Sequence, residues 1–526
     1  MSEQPAISEK TSLGSEDGRR SSRPPPSDRV RTREMALALR NGLKMGGSLI
    51  ITWSVALIVK VRVPVHLGPV RQGHFGFAES FAAMFFCVVG LGVETHIIKE
   101  VSVRPKYASD VVGGVFLVRI LMSVALLAAM ATVLVVTGRS RDILLAAVIF
   151  GLSNVFMAIN ATLGAVLQAI SRVDPGVVAN VATKTIWGVG LLVALRYDVP
   201  LAVLALPALV GEMIRASILF LATRRLADLQ YRIDPPATRE ALVASVPYFV
   251  NSLALGVLGS LGMSVLEFVR VDEREVGWFA ADQNVAYLCM LLSPLIFWVV
   301  MPLLSRAHAR SPQEGMTVFR RCLEGLVVAI VPITVMLSAG SDVLIRFAFG
   351  AKYAPAATGL SILSLVFLMT YVNMMLSTNL IVLGRGWSVT VISIGSVGAM
   401  ALLMLVCVPL GRHLIGTGGE CAGAAAAVIA TESSVLAAMV TRFSEFPLDR
   451  RNLSVLGKSI ALAALVLIVD RTLRSLGPAR LALDACVYAG VAFASGIVRP
   501  RDVAAVVRLL RHRREGVGEP GVQAAG

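Results

Sequence analysis

This 526-residue sequence predicts an all-α polytopic membrane fold of about fourteen transmembrane helices, and three observations carry the prediction. Hydrophobic residues make up 56% of the chain and charged residues 16%, where an average soluble domain has about 45–50% and about 25%. Apolar runs of roughly 20–28 residues recur between short polar breaks, and that length spans a ~30 Å hydrocarbon core at about 1.5 Å per residue. The net charge of +15 is concentrated in the tails and in short loops, where lysine and arginine set membrane orientation, so it does not argue for nucleic-acid binding. With a mean hydropathy of +0.74, these features exclude a soluble enzyme, a disordered chain and a fibrous protein.

Residues 1–38 are polar and arginine-rich, as in Arg19-Arg20 and Arg23-Pro24-Pro25-Pro26, and are expected to form a disordered basic tail. No short apolar segment with a small-residue cleavage site precedes the first long run, so the start does not read as a cleavable signal. Six runs follow, at 43–63, 74–98, 109–137, 143–169, 176–197 and 199–223. The stretch from Arg224 to Arg239, with Asp234-Pro235-Pro236 inside it, reads as a linker. Six more runs lie at 240–268, 276–304, 318–340, 355–384, 387–411 and 418–441, and two close the series at 453–470 and 480–498. The expected organisation is therefore a six-helix bundle over 39–225, a linker over 226–239, a second six-helix bundle over 240–445, two additional helices within 446–498, and a basic amphipathic tail over 499–526. Lysine and arginine divide almost evenly between the two sets of loops. The tails and the two arginine-rich loops therefore set the orientation, and they place both termini in the cytoplasm.

The two sets of six read as diverged copies. Phe75-Gly76-Phe77 and Val276-Gly277-Trp278 open the second helix of each set. Ala165-Val166-Leu167-Gln168-Ala169 with Arg172 parallels Asn379-Leu380-Ile381-Val382-Leu383-Gly384-Arg385 at the end of each fourth helix. Transporter folds are commonly built from such repeats, with the site between them.

Several landmarks carry a family resemblance in order: Leu67-Gly68-Pro69, Gly90-Leu91-Gly92-Val93-Glu94 running to Lys99-Glu100, Phe349-Gly350-Ala351-Lys352-Tyr353, and the Gly/Ala-rich run Gly419-Glu420-Cys421-Ala422-Gly423. Over residues 40–445 the chain resembles the polysaccharide flippase family, the O-antigen and exopolysaccharide transporters of the multidrug/oligosaccharidyl-lipid/polysaccharide superfamily, to which the lipid II flippase is related. The resemblance implies two pseudo-symmetric bundles around a cavity that opens alternately to either side of the bacterial inner membrane. It implies as substrate a polyprenyl-diphosphate-linked oligosaccharide, and as partners membrane lipids, a polysaccharide polymerase and glycosyltransferases, with no nucleic acid. It also implies that helices one, two, seven and eight line the cavity.

A charge at mid-membrane costs about 2.5–3.5 kcal/mol on the insertion scale, so each one needs a cavity or a partner. Arg119, Lys184 and Arg215 lie inside the third, fifth and sixth runs, and Lys60 and Arg62 end the first. These five are the candidate cations for a diphosphate, with Arg62 foremost because guanidinium binds phosphate oxygens bidentately. Against this, Glu212 stands three residues from Arg215, within pairing reach on one helix face. Lys60 and Arg62 are also placed to snorkel to the interface. Arg119 and Lys184 show no partner nearby in sequence. Glu432, Glu94 and Asp282 are candidate acids for coupling to H+ or Na+, led by Glu432, which has no cation within a helical turn. Asn160 and Asn373 are among several asparagines that either bridge helices or bind sugar. Pro247, Pro294 and Pro302 interrupt the seventh and eighth runs.

Six cysteines and six histidines are dispersed, without CxxC or metal-ligand spacing, so no metal and no cofactor are expected. A multidrug or small-molecule exporter of the same fold and a lipid II flippase are the alternative functions. A membrane-bound polymerase or ligase would need a large outer loop, and every outer loop here is short. No Walker motif is present to couple ATP.

Overall fold

The computed structural model describes residues 28–170, 172, 174–227, 229–269, 272–290, 293–443 and 449–497, with the backbone alone over 28–50 and at 247–248, 251, 289, 293–299, 302 and 450. The described residues are helical with no strand. A chain in lipid must satisfy its backbone hydrogen bonds internally, and these apolar runs do so as helices. The basic segment 499–526, the first part of the basic tail and the side chains of Pro247, Asn251, Pro294 and Pro302 lie outside the described residues.

The first helix, α1, runs Asp28–Phe86. At its 59 residues α1 is too long for one crossing, and Gly68 (φ 70°, ψ 170°) divides it. That conformation is open to glycine, and Pro69 then starts the second limb, where its missing N–H is no loss. The limbs fold back on each other, because Val59 and Lys60 of one line the same cavity as Glu79 and Ala83 of the other. The Leu67-Gly68-Pro69 landmark is thus the first hairpin.

The second crossing is broken where the sequence suggested one continuous helix. A 3₁₀ turn, Cys87–Gly90, is followed by two left-handed residues, Leu91 (φ 54°) and Gly92 (φ 63°), before α2 (Val93–Val103). The break frees carbonyls inside the membrane, and Arg119 of α3 (Tyr107–Val136) fills it, donating to Gly90 O at 2.5 Å and to Glu94 at 2.7 Å. The other guanidinium nitrogen binds Ala158 O and Thr162 Oγ1 of α4 (Arg141–Ala169). Helices α5 (Asp174–Leu195), α6 (Leu201–Leu226) and α7 (Pro235–Phe268) follow. Asp234 caps α7, accepting from Ala237 N at 3.2 Å with proline at the first helical turn.

In the second half, α8 (Glu273–Cys289) and α9 (Ser293–Arg310) divide the eighth run, and α10 (Pro312–Ala339) is capped by Ser311. A short helix absent from the sequence reading, α11 (Ser341–Phe349), ends at Gly350. Then come α12 (Ala356–Leu363), α13 (Leu365–Val382), α14 (Gly386–Ile415) and α15 (Gly419–Val440). The Gly/Ala-rich run earns its composition at the α14–α15 contact: a Cβ on Gly423 would stand 2.2 Å from Cys407 O. Helices α16 (Arg450–Thr472) and α17 (Arg480–Ala494) pack on each other, and α16 lies against α10.

Among the described residues, eleven helical stretches are long and apolar enough to cross a membrane. Fourteen crossings require that Ile51–Val103 be counted as two, and that α7 and the α8–α9 pair each count as one.

Candidate substrate cavity

The two halves enclose two adjoining cavities, of ≈ 270 and ≈ 630 Å³, which share Gly259, Gln283 and Tyr287. The smaller lies between the halves, walled by both limbs of α1, by α5, α7 and α8. The larger is mostly apolar and lies within the second half, between α7, α8, α13, α14 and α15.

The smaller cavity carries the charge. Lys60 Nζ donates to Asn284 Oδ1 at 3.1 Å, which ties the first limb of α1 to α8. Glu79 lines the same space from the second limb, and its open surface faces the cavity. Lys184 sits beside it, its ammonium 5.3 Å from the centre of the Trp187 ring, and Trp187 is part of the cavity wall. The charges of Lys60, Glu79 and Lys184 act on one another. Gln72 adds a buried carbonyl oxygen with no hydrogen-bond partner.

The end of the molecule that holds Gly68 is closed over this space. Tyr353 OH donates to Pro64 O at 2.8 Å, and Trp278 Nε1 to Lys352 O at 3.0 Å. His74 stands 3.5 Å from Glu273. Arg139 pairs with Glu267, donates to its carbonyl at 2.7 Å and lies over Phe77 and Phe268. The tightest contact is Gly277 against Pro69, where a Cβ would fall 1.7 Å from the Pro69 carbonyl oxygen.

The family model described as "polysaccharide biosynthesis protein" matches residues 38–308, just over half of the chain. The chain belongs to the polysaccharide biosynthesis protein family. Its architecture is similar to that of the lipid II flippase MurJ in an inward closed conformation, with a TM-score of 0.62 and 12% identity over 88% of this chain and 100% of that one. A multidrug-resistance MATE transporter of the MOP superfamily in an inward-facing conformation matches with a TM-score of 0.54 and 13% identity, over 76% of this chain and 93% of that one. The Vibrio cholerae MATE transporter VcmN in its bent form gives 0.51 and 13%, over 78% and 97%. At such identities these likenesses show the fold. Comparison with curated protein sequences gives no match.

Within this polysaccharide biosynthesis protein, the residues singled out from sequence separate into distinct places. Lys60 lines the smaller cavity and Lys184 stands at its edge. Arg62, foremost in the sequence reading, is exposed and lines neither cavity, because two residues beyond Lys60 a helix has turned by more than half a circle. Arg119 is fully buried away from both cavities, and Glu94 is its partner, so a candidate cation and a candidate acid form one ion pair. Arg215 pairs with Glu212 at 3.6 Å, on the i, i+3 spacing read from sequence. Asp282 is fully buried between α8, α12 and α15, accepts from Cys421 Sγ at 3.2 Å, and keeps one oxygen unpartnered.

Glu432 lines the larger cavity but is not unpartnered: Asn373 Nδ2 donates to its carboxylate at 2.6 Å and to its backbone carbonyl at 3.0 Å. The first half repeats the motif. Asn160 Nδ2 donates to the Glu212 carboxylate at 2.8 Å and to its carbonyl at 2.9 Å. The positions are equivalent, since Asn160 precedes Arg172 by as many residues as Asn373 precedes Arg385, the landmark already aligned between the halves. The copies differ in charge. Arg215 stands three residues after Glu212, while Val435 stands three after Glu432.

Asn284 was among the asparagines read as binding sugar or bridging helices, whereas Glu79 and Gln72 were missed as site residues. Their signal was present, since Gln72, Gly76, Glu79 and Ala83 fall on one helical face of a landmark segment. No group of three or more His, Cys, Asp or Glu side chains among the described residues is placed to hold a metal ion.

Proposed function

We propose that this family member is a flippase that carries a polyprenyl-diphosphate-linked oligosaccharide across the bacterial inner membrane for cell-surface polysaccharide synthesis. The observation that carries the reading is the smaller cavity, where Lys60 and Lys184 stand near one another between the two halves. Ammonium groups there meet a diphosphate, and Gln283 and Asn284 offer amides to sugar hydroxyls. In this reading both termini face the cytoplasm, the Gly68 end faces outward, and the closed contacts there make this an outward-closed state. The halves act as bundles that rock about the cavity, α16 and α17 being appended to the second. The protein then acts with a polymerase and glycosyltransferases and performs no covalent chemistry itself.

Coupling to H+ or Na+ is assigned to Glu432. The duplicated Asn–Glu clamp supports it: a fixed arginine accompanies the first copy, and an exchangeable cation takes that role at the second. A cation exporter of the same fold is the second reading, favoured by the apolar larger cavity with its single carboxylate.

Reconstituted protein tests the choice. Transfer of a fluorescent polyprenyl-diphosphate saccharide between leaflets is expected, and Lys60→Gln and Lys184→Gln each slow it. Efflux of a cationic dye in place of lipid transfer gives the answer to the exporter.

A further inference from the structure

Glu79 has no function in the transport reading so far, and its position is unusual. It is a carboxylate in the cavity wall that makes no hydrogen bond and no ion pair with any described residue, yet two lysines act on it. Each lysine is held elsewhere, Lys60 on Asn284 and Lys184 over Trp187. A carboxylate serving as a structural clamp closes onto its cation, as Glu94 does on Arg119 at 2.7 Å. Glu79 closes onto neither lysine, leaving Lys60 in the cavity wall and Lys184 over Trp187.

We infer that Glu79 is a resident counter-ion that competes with the substrate's diphosphate for Lys60 and Lys184 and thereby sets an affinity low enough for release. This rests on the flippase reading and deepens it. The charge count shows the consequence. With the cavity empty, two lysines and Glu79 sum to one positive charge. A diphosphate brings at least two negative charges. Were Glu79 neutral, the two lysines would match those charges fully and the headgroup would sit in an electrostatic trap. With Glu79 ionised the loaded site keeps a surplus negative charge, and the headgroup is held but not trapped. A carrier that must both take up and let go of its cargo turns over slowly when binding is uniformly tight.

The proposal makes a signature that damage to the fold does not: tighter binding together with slower transport. The probe is farnesyl diphosphate, a short soluble carrier of the same headgroup, with farnesol as the uncharged comparator. Binding to the purified full-length protein is followed by tryptophan fluorescence and calorimetry, and transport is measured in vesicles. Removing one unit charge from a partly desolvated site predicts about tenfold tighter farnesyl diphosphate binding in Glu79→Gln. It also predicts slower lipid transfer. Lys60→Gln weakens binding, and the double variant returns toward wild type. Should Glu79→Gln not fold, Glu79→Asp draws the charge back by one methylene and is expected to tighten binding by a smaller factor. Unchanged or weaker binding in the Glu79 variants, with Lys60→Gln still weaker, overturns the counter-ion and leaves the anionic-substrate reading in place. Farnesyl diphosphate bound no better than farnesol by the wild type overturns both.

Discussion

Arg119→Met places the burden of the broken second crossing on a side chain that cannot carry it. Arg119 is fully buried and donates to four acceptors, the carbonyls of Gly90 and Ala158, the Thr162 hydroxyl and the Glu94 carboxylate. Methionine fills similar volume but donates nothing. Breaking a buried pair by removing one partner typically costs about 3–5 kcal/mol, because the remaining charge stays uncompensated. Glu94 keeps a side-chain exposure of 28%, which reduces that share. The Gly90 carbonyl next to the left-handed residues has no helical donor to return to, at roughly 1–3 kcal/mol for a buried unmade hydrogen bond. A total near 4 kcal/mol is therefore expected. Adding Glu94→Gln removes the orphaned charge and should recover about 1–2 kcal/mol, as a coupling term in a double-mutant cycle. Equilibrium unfolding of purified protein in detergent measures both values. Wild-type stability in Arg119→Met, accompanied by loss of lipid transfer, would refute the structural assignment and return Arg119 to the substrate path.

Three further outcomes are expected. Glu432→Gln leaves folding intact and makes lipid transfer insensitive to the imposed sodium or pH gradient; transfer that still follows the gradient removes Glu432 from coupling. Gly277→Ala cannot close against Pro69, so cysteine labelling at the Gly68 end rises and transfer falls; unchanged labelling contradicts the contact. Asp342 lies in the first turn of the short helix α11: burial pushes its carboxyl up, but the Arg480 hydrogen bond at 2.5 Å and the Val343 N–H outweigh this and hold it below its usual value. A depressed carboxylate stabilises the fold above its unfolded value of about 3.9, and that contribution is lost as pH falls through the folded value. Asp342→Asn is thus less stable than wild type at pH 7, and thermal unfolding should show the difference closing below about pH 4.

The helices were legible because lipid leaves a long apolar run few alternatives to closing its own hydrogen bonds. The Gly68-Pro69 break was legible for a local reason, since its residues dictate backbone angles, whereas Asp234-Pro235-Pro236 was read as linker although its aspartate cap and prolines open α7. The Glu212–Arg215 pair was readable because its partners are a helical turn apart. What stayed hidden was pairing across the fold. Glu94 and Arg119 are on different helices, as are Asn373 and Glu432, and no periodicity along one segment reports either. The break after Gly90 was equally hidden, although Gly90-Leu91-Gly92 stood among the landmarks. A leucine at positive φ is tolerated there because packing and the Arg119 hydrogen bonds impose it, not because leucine favours it. Lys60 rather than Arg62 lines the smaller cavity through helix phase, which residue type does not reveal.

The meeting of Gly277 with Pro69 bears on permeability. Main chain rests on main chain at that point, with no side chain between. Protons and small ions cross membranes along files of water, so a carrier with a wide internal space is a hazard to the ion gradients around it unless one end is tight. A seal of this kind does not respond to salt or pH as an ion-pair lock does. In the proposed flippase this contact yields only when α1 and α8 part as whole bodies, so bulky cargo would pass in a single concerted opening.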